Sequence, residues 1–578
     1  MELLLEQTAR IEQYIISQNF AQPPNLYLEL KSFDDAVAIF IAYLLIKKKI
    51  VNSINLFGCK TSYAETDINI KSIYIDITDD VDQLYEIIYT AVIEHYQNDP
   101  NVVNITESFQ KSYSIKNKLK NDMQRGILYS MALRNNGIVL SNVNKSLLET
   151  GLYSKTSDKV GDWNFVGDIT IDNIQKIIQL TTKSTESTES TESTESTELT
   201  ELTELVNLKK IAEHFKLSYG KNNHFKMFFD EELKMLPYDD LTIEAKNYIK
   251  KNEHKKIYPP TPVQINWNNV VISDDTTSNI IDNSTVDIYQ SEYALPDSLQ
   301  TILSNLRIAE GFSTKKWISN IISELYKIFE ENQIKNVTFG LSGGVDSATI
   351  LAIMKKLFDD SENKFGHIIP VALPASSTSS IQNRAYELCE QMNIKCLSVD
   401  LTQVHKNICE KIHKSMNLND DQHFIDGCFK SSLRANVLYC ISRIFDNTIV
   451  VGTGNKSEDG YLGYYAKSGD GLVDISPIGT LYKLYVYFVA KQLGVTQSII
   501  SAQPSADLVP NQTDEGELQF SYDFVELYMR MLEMSTEDRL NLLSHLDVES
   551  MNYFKQMELK IVSIHEKNKH KSVLGKVI

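Results

Sequence analysis

The sequence lacks an excess of positive charge. Its 578 residues include 57 lysines and arginines against 76 aspartates and glutamates, which gives a net charge of -19 at pH 7. A surface of this sign repels the phosphates of nucleic acids and anionic lipids, which argues against both as partners. A local basic pocket for a phosphorylated small molecule is still compatible with this total. The length predicts two or more domains.

Cysteine is scarce, and the six cysteines show neither a CxxC pair nor the spacing of metal ligands. This pattern predicts reduced thiols in a cytoplasmic protein. The six are Cys59, Cys389, Cys396, Cys409, Cys428 and Cys440.

Long hydrophobic runs are also lacking. The apolar run 36–46 is too short to span a bilayer, and three lysines follow it. We expect it to form a buried helix. The N-terminus, MELLLEQTAR, lacks the basic region that opens a secretory signal peptide. The sequence therefore favours a cytoplasmic protein with no membrane partner.

One glycine-rich stretch, FGLSGGVDSA at 339–348, organises the second half of the chain. Apolar residues before it and apolar residues at helical spacing after it predict a strand, a turn and a helix. Gly343 and Gly344 let backbone N–H groups approach a phosphate, and the positive end of the following helix faces the same place. Ser342 and Ser347 add hydroxyl donors.

Asp346 places an acid inside this predicted anion site, which makes chemical sense when a cation such as Mg²⁺ binds there too. No lysine follows the glycines, so the stretch is not a Walker loop. Its SGGxDS pattern resembles that of ATP enzymes that release pyrophosphate and activate a carboxylate or carbonyl as an adenylate. An ordinary glycine-rich turn is the alternative for this stretch taken alone.

Strand-like and helix-like segments alternate after this loop, with strands predicted at 367–373, 395–401 and 448–451 and a helix at 382–392. Such alternation predicts an α/β domain with a doubly wound parallel sheet. In such a sheet, ligands bind at the carboxyl ends of the strands.

Further polar motifs follow in order. They are GTGNKSE at 452–458, KSGDG at 467–471, LYK at 481–483, PSAD at 504–507 and QTDEGEL at 512–518. Singly, each has an ordinary alternative, since a lone lysine is commonly a solvated charge and an acidic run a surface loop. Together with SGGVDS they resemble NAD synthetase over residues 317–522. Other pyrophosphate-releasing enzymes, such as GMP synthetase, share the first motif but not the GTGNKSE and QTDEGEL pair.

The resemblance implies a two-step reaction with ATP, deamido-NAD and ammonia as substrates and Mg²⁺ as cofactor. The nicotinate carboxylate of deamido-NAD attacks the α-phosphate of ATP, which gives an adenylate and pyrophosphate. Ammonia then displaces AMP and leaves the amide of NAD. Such chemistry needs charge neutralisation and positioning more than a covalent nucleophile.

The resemblance also implies roles for individual residues, with Asp346 and Lys483 as the catalytic pair and Asp346 and Glu458 as the Mg²⁺ ligands. The ATP contacts would be Gly340, Leu341, Ser342, Gly343, Gly344, Val345, Asp346, Ser347, Thr453, Lys483 and Ser505. The deamido-NAD contacts would be Arg434, Lys467, Asp474, His570 and Lys571.

The sequence departs from the family pattern at two places. Ser432 stands where the family usually has an arginine, which puts one substrate contact in doubt. The loop predicted at 460–466 is one residue longer than expected for the ammonia-dependent form, and its spacing is closer to that of the glutamine-dependent enzymes.

The first half of the chain resembles the second. Residues 69–78 match 393–402, residues 137–146 match 448–457, and both pairs run in the same order. We therefore predict two tandem Rossmann-like, doubly wound parallel-sheet domains of the adenine nucleotide α-hydrolase type, the first degenerate. The predicted boundaries are 1–260 for the degenerate copy, with a low-complexity insertion at 183–204, then a linker at 261–293 and a catalytic domain at 294–578.

The first copy has lost the residues for phosphate and metal. Its loop, LKSFDDA at 30–36, has no glycine, and Leu147 stands in the position of Glu458. It retains possible contributors to the acceptor site, because Lys155 matches Lys467 and His254-Lys255 match His570-Lys571. We expect an intramolecular pseudo-dimer in which the first copy replaces a second subunit.

Ammonia is the expected nitrogen donor. Glutamine-dependent relatives carry a nitrilase-like amidase with a Glu-Lys-Cys triad, and the first half of this chain contains only Cys59. Two alternatives remain at this level: a non-catalytic nucleotide-binding regulatory protein, and an adenylating ligase that acts on another acceptor.

Overall fold

A computed structural model of the chain describes residues 2–18, 22–29, 33–57, 70–96, 112–134, 137–141, 143–150, 156, 161–170, 173–174, 241–251, 288–362, 364–376, 379–417, 423–505, 512–572 and 576–577. The low-complexity segment 183–204 and linker residues 261–287 lie outside these ranges, as do Cys59, Lys155, His254 and Lys255.

The described part of the first half contains six helices and five strands. The helices are α1 (Glu2–Ser17), α2 (Phe33–Lys47), α3 (Thr78–Tyr96), α4 (Ser112–Arg134), α5 (Lys145–Thr150) and α6 (Ile243–Lys251). The strands are β1 (Asn25–Glu29), β2 (Ser53–Phe57), β3 (Ile70–Ile73), β4 (Ile138–Ser141) and β5 (Trp163–Asn164).

The second half begins with a helical layer that leads into a second sheet. Its strands are β6 (Asn336–Gly340), β7 (Ile368–Ala372), β8 (Leu397–Ser398) and β9 (Thr448–Val450), and β10 (Lys576–Val577) lies at the C-terminus. Its helices up to β9 are α7 (Asp297–Glu310), α8 (Thr314–Glu331), α9 (Val345–Asp360), α10 (Ser379–Gln391), α11 (Thr402–Ser415) and α12 (His423–Ile444).

Further helices follow β9 in the chain. They are a π-helix (Lys456–Leu462), α13 (Lys483–Gln492), α14 (Gln497–Ile500), α15 (Asp514–Leu518), α16 (Tyr522–Leu532), α17 (Thr536–Ser544), α18 (Val548–Asn568) and a 3₁₀ turn (Lys569–Ser572).

The second sheet is parallel, with strand order β8-β7-β6-β9. A parallel bridge between Val451 and Ile475 extends it beyond β9. The predicted parallel α/β fold is therefore confirmed for this half. The strand predicted at 395–401 is shorter than expected. Val399 N still donates to the carbonyl of Ala372, the last residue of β7, at 3.0 Å, and Leu401 N donates to that of Pro374 at 2.7 Å.

The first sheet is also parallel, with strand order β10-β5-β4-β1-β2-β3. Its outermost strand, β10, comes from the C-terminus of the chain and pairs with β5 through Lys576 and Val577. The C-terminal tail of the second half is thus part of the sheet of the first half.

A cluster of buried apolar side chains spans both halves. It combines residues of α3 and α4 with residues of β7, α11 and α12, and includes the fully buried Leu128 and Leu433. At the crossing of α4 and α12, a Cβ added to Gly126 would lie 2.9 Å from Cβ of Ser432. Because burial of each such side chain contributes about 1.5–3 kcal/mol, the shared core binds the halves together.

The two halves also exchange ion pairs. Arg443 of α12 contacts Asp122 of α4 at 2.7 Å, and Lys411 of α11 contacts Asp80 of α3 at 2.6 Å. The Asp122 side chain is fully buried, so loss of its partner Arg443 would be costly.

The run 36–46 lies in α2, where most of its described residues, including Ile39 and Leu45, are buried as predicted. Across the ranges that the structure describes, no helix combines the length and apolarity needed to cross a bilayer.

Candidate active site

The glycine-rich loop joins β6 to α9 as predicted. Gly343 has φ of 85°, which a residue with a side chain adopts only with strain, and Gly344 caps α9 in an extended conformation. Ser342 N donates to Oγ of Ser347 at 3.2 Å, and Gly344 N donates to Oγ of Ser342 at 3.2 Å. The two hydroxyls therefore hold the turn in shape at the positive end of the 16-residue helix α9.

Lys483 lies between the two predicted metal ligands. Its Nζ is 2.7 Å from Oδ2 of Asp346 and 2.6 Å from Oε1 of Glu458. The lysine side chain is only 3% exposed. The structure thus brings together the three charged residues that the sequence predicted for the reaction centre.

The local fold explains how these residues meet. Asp346 lies in the first turn of α9, and Lys483 begins α13 with its backbone N–H bonded to Oγ of Ser457 at 3.0 Å. Burial lowers the pKa of Lys483, but the carboxylates of Asp346 and Glu458 outweigh burial and raise this pKa well above its ordinary value. The lysine is therefore a permanent cation at neutral pH.

Asn455 connects the glycine-rich loop to the segment that carries Glu458. Its Nδ2 donates to Oδ1 of Asp346 at 2.9 Å. Its Oδ1 accepts from the backbone N–H groups of Ser457 and Glu458 at 3.0 and 3.2 Å. The asparagine side chain, fully buried, thereby fixes the spacing of the two carboxylates.

The segment 456–462 is a π-helix, so the prediction of a loop from residue 460 was wrong for its first three residues. A π turn contains one residue more than an α turn and is typical of a single-residue insertion near functional sites. Gly463, in the left-handed region with φ of 58°, ends this helix. We therefore infer that the extra residue of this segment lies in the π-helix that contains Glu458.

The last five residues of the QTDEGEL motif form a short helix, α15. Thr513 caps it by accepting from Gly516 N. Tyr522 donates toward both Glu458 and Asp514, with 3.0 Å to each carboxylate. Burial, and then repulsion from Glu458, raises the pKa of Asp514 to about 7. The acidic segment thus adds a third, buried carboxyl group, that of Asp514, beside the charged centre.

Three predicted acceptor residues form one group. Lys467 Nζ donates to the backbone carbonyl of His570 at 3.0 Å, and Lys571 Nζ donates to the carbonyls of Gly463 and Tyr465 at 2.9 and 2.7 Å. Burial lowers the pKa of Lys571 to about 8. These basic side chains therefore lie beside the C-terminal end of the π-helix.

The other two acceptor residues are held elsewhere. Asp474 accepts from the Tyr439 hydroxyl at 3.1 Å and from Val450 N at 2.9 Å, and Arg434 donates to the carbonyl of Leu373 at 3.3 Å. The predicted ATP contacts Thr453 and Ser505 are both half-buried, the first after β9 and the second at the end of a described range.

Ser432, the departure from the family pattern, lies at the helix crossing. Its hydroxyl is 2.7 Å from that of Ser468 and also bonds the carbonyl of Cys428 at 3.2 Å. Because Gly126 packs directly against it, the position has room for a small side chain only.

Sequence reasoning missed Asp162 of the first half. Its Oδ1 lies 3.3 Å from Nζ of Lys467, and Nε2 of His570 lies 3.5 Å from the same oxygen. The internal repeat carried the signal, because Asp162 follows Lys155 by the seven residues that separate Asp474 from Lys467. Asn455 and Tyr522 were likewise in or beside quoted motifs without an assigned role.

Comparisons with known proteins agree on one family. The family model described as NAD synthase matches residues 317–574. The NH(3)-dependent NAD(+) synthetase of Alkaliphilus oremlandii is 35% identical over 220 residues, which are 37% of this chain and 85% of the relative. The corresponding protein of Methanocaldococcus jannaschii is 30% identical over 267 residues, 46% of this chain and 96% of the relative. A solved NH3-dependent NAD synthetase from Campylobacter jejuni is 23% identical, with 46% and 99% coverage and a TM-score of 0.36.

Proposed function

Since this chain belongs to the NAD synthase family and is an ammonia-dependent ligase, we propose that it converts deamido-NAD to NAD. ATP would activate the nicotinate carboxylate as an adenylate with release of pyrophosphate, and ammonia would then displace AMP. We assign this chemistry to residues 294–578. The observation that carries the proposal is the Asp346–Lys483–Glu458 centre beside the glycine-rich loop.

The chain's own residues account for the charge that this reaction requires. The attacking carboxylate and the triphosphate are both anionic, so their approach needs fixed positive groups. Lys483 is a permanent cation at this place, and the positive N-terminal end of α9, whose first turn contains Asp346, lies beside it. The loop would thus hold the phosphates, while Lys483 would neutralise negative charge between the attacking carboxylate and the triphosphate.

Asp346 and Glu458 fit a divalent cation, because both carboxylates already converge on one positive group, the ammonium of Lys483. Mg²⁺ is commonly held by one or two carboxylates together with substrate phosphates, so these two residues would be its protein ligands. When bound, the ion would neutralise the departing pyrophosphate.

Free ammonia, or ammonia from another protein, would be the nitrogen donor. An amidase activity would require a reactive thiolate, and the two cysteines of α12, Cys428 and Cys440, do not provide one. Burial raises the pKa of Cys440 to about 12 and that of Cys428 to about 11, so both are protonated thiols at neutral pH.

We further propose that the first half is a degenerate copy of the second and acts as its built-in partner subunit. Three observations support this. First, the strand order β5-β4-β1-β2-β3 of one sheet corresponds to the order of the other, which is the bridge at Ile475 followed by β9-β6-β7-β8. Second, the two halves share a core. Third, both halves contain an aspartate that accepts from a tyrosine hydroxyl and from a backbone N–H group. In that arrangement Tyr129 and Val139 N contact Asp162 as Tyr439 and Val450 N contact Asp474.

Two alternatives are less well supported. A regulatory protein without catalysis would have no need of a buried lysine held between two carboxylates, an arrangement that is costly to maintain. An adenylating ligase for another acceptor was suggested by Ser432, but the contacts of that residue to Ser468 and Gly126 give it a packing role.

The test is direct. The purified chain is incubated with ATP, Mg²⁺, ammonium and deamido-NAD, and AMP and NAD are quantified together. Equal amounts of both products support the proposal. A second incubation replaces deamido-NAD with its mononucleotide. Turnover of the mononucleotide but not of deamido-NAD would support an adenylating ligase that acts on another acceptor.

A further inference from the structure

Asp162 is the residue of the first half that enters the acceptor group of the second half. It precedes β5 and is 6% exposed. One of its oxygens accepts from Val139 N at 3.0 Å, and the other lies 3.5 Å from the Tyr129 hydroxyl. These contacts within its own half fix the direction in which the carboxylate points.

The carboxylate points at two basic side chains of the other half. Lys467 Nζ lies 3.3 Å from Oδ1 and His570 Nε2 lies 3.5 Å from the same atom. The Lys467 side chain is 2% exposed, so an ammonium there needs a counter-charge to remain protonated. Burial lowers the pKa of Lys467 and Asp162 opposes that shift.

Lys467 also contacts the C-terminal tail. Its ammonium bonds the carbonyl of His570, in the 3₁₀ turn that also carries Lys571. A few residues later, β10 pairs with β5, the strand that begins immediately after Asp162. The tail therefore contacts the first half at two adjacent points. The His570 ring approaches Asp162, and β10 pairs with β5.

The group retains an excess of positive charge. Lys467, Lys571 and, when protonated, His570 lie near the carboxylate of Asp162, and burial, together with the neighbouring lysines, lowers the pKa of His570 and Lys571. A ligand with several negative charges, such as the pyrophosphate of a dinucleotide, would relieve this repulsion.

We infer that Asp162 is a positioning residue for the acceptor dinucleotide. It keeps Lys467 charged and holds the tail so that His570 and Lys571 face the ligand, although it belongs to the half that lacks the phosphate loop and the metal carboxylates. The first half thereby sets the affinity for deamido-NAD and leaves ATP binding to the second half. This inference rests on the proposed function for its substrate.

The full-length chain offers a matched control. Asp122 forms another buried ion pair between the halves, with Arg443 at 2.7 Å, and accepts a hydrogen bond from Thr156 at 2.7 Å. The D122N variant removes a comparable contact between the same two halves at the α4–α12 crossing. The D162E variant keeps the charge at the acceptor group with a longer side chain.

Steady-state kinetics of D162N, D162E and D122N test the inference. We expect D162N to raise KM for deamido-NAD by about tenfold or more while KM for ATP changes by less than about twofold. D162E should recover most of the affinity, and D122N should lower the melting temperature without separating the two KM values. Equal changes in both KM values for D162N, or the same pattern in D122N, would overturn the inference.

Two further measurements keep the inference testable. Limited proteolysis of D162N, at a temperature where it is folded, should cut within 569–577 faster than in D122N; equal protection would count against the positioning role. If the wild-type chain forms no NAD, the proposed function fails, and calorimetric titration with deamido-NAD alone decides the inference. Weaker binding by D162N than by D122N then supports it, and equal binding overturns it.

Discussion

Asn455 donates a hydrogen bond to the carboxylate of Asp346 at 2.9 Å, and the same side chain caps the π-helix that carries Glu458. One neutral amide therefore couples the glycine-rich loop to the second predicted metal ligand. We expect N455A to lower the rate of AMP formation by about tenfold or more, because both carboxylates lose their common support.

A matched control for this variant is Asp547, which caps α18 at the surface by accepting from Ser550 N at 2.8 Å. D547A also removes a helix cap but leaves Asp346 and Glu458 in place. Its rate should equal that of the wild type. If N455A and D547A have the same rate, Asn455 is only a cap and the coupling does not exist.

Asp346 and Glu458 should both be indispensable. We expect D346N and E458Q to lose adenylate formation, with AMP production reduced by about a thousandfold or more, because each keeps its shape and loses the charge that would hold Mg²⁺. Circular dichroism should show an intact fold in both. The matching change in the first half, D34N, should be nearly silent. Near-normal AMP production by D346N or E458Q would mean that the metal site lies elsewhere.

Binding of deamido-NAD should weaken in mildly alkaline solution. Burial lowers the pKa of Lys571 to about 8, so this side chain is a cation below that pH and neutral above it. His570 does not titrate in this window, since burial lowers its pKa from an ordinary value of 6.5. KM for deamido-NAD should therefore rise between about pH 7.5 and 9, while KM for ATP stays level. The K571R variant should flatten the rise, and a flat profile in the wild type would remove Lys571 from the acceptor site.

Lys155 and His254 match Lys467 and His570 in the internal repeat and lie outside the described residues. If the first half acts as a partner subunit, K155A and H254A should raise KM for deamido-NAD and leave KM for ATP little changed. Wild-type constants in both variants would argue that these residues are ordinary solvated charges.

Ammonia should support turnover and glutamine should not. The measurement is NAD formation by the purified chain with either compound as the sole nitrogen source, with D346N as the inactive control. Robust turnover with glutamine would require an amidase centre that we have not assigned.

The sequence predicted those parts of the fold that depend on local patterns. The turn at Gly343 and Gly344, the parallel sheet and the buried run in α2 all follow from residue types over short windows. The charged centre was also predictable, because Asp346, Glu458 and Lys483 stand in motifs whose order is specific.

The missed features depend on contacts that no short window contains. Asp162 meets Lys467 across 305 positions, and neither residue is unusual in its own segment. The last three residues of the π-helix, 460–462, were predicted as loop because one extra residue in a polar segment looks like a loop insertion. The cap from Asn455 and the bond from Gly463 N to the carbonyl of Glu458 hold the segment in helical form. Helix α15 was not predicted because its five residues, DEGEL, contain a single apolar side chain and so show no apolar period.

The central claim is that Asp346, Glu458 and Lys483 form an adenylate-forming centre for deamido-NAD. Exchange of labelled pyrophosphate into ATP, measured without any nitrogen donor, reports on this step alone. We predict exchange that requires Mg²⁺ and deamido-NAD, that needs no ammonia, and that is lost in D346N. Exchange that proceeds equally without deamido-NAD, or that persists in D346N, would contradict the account.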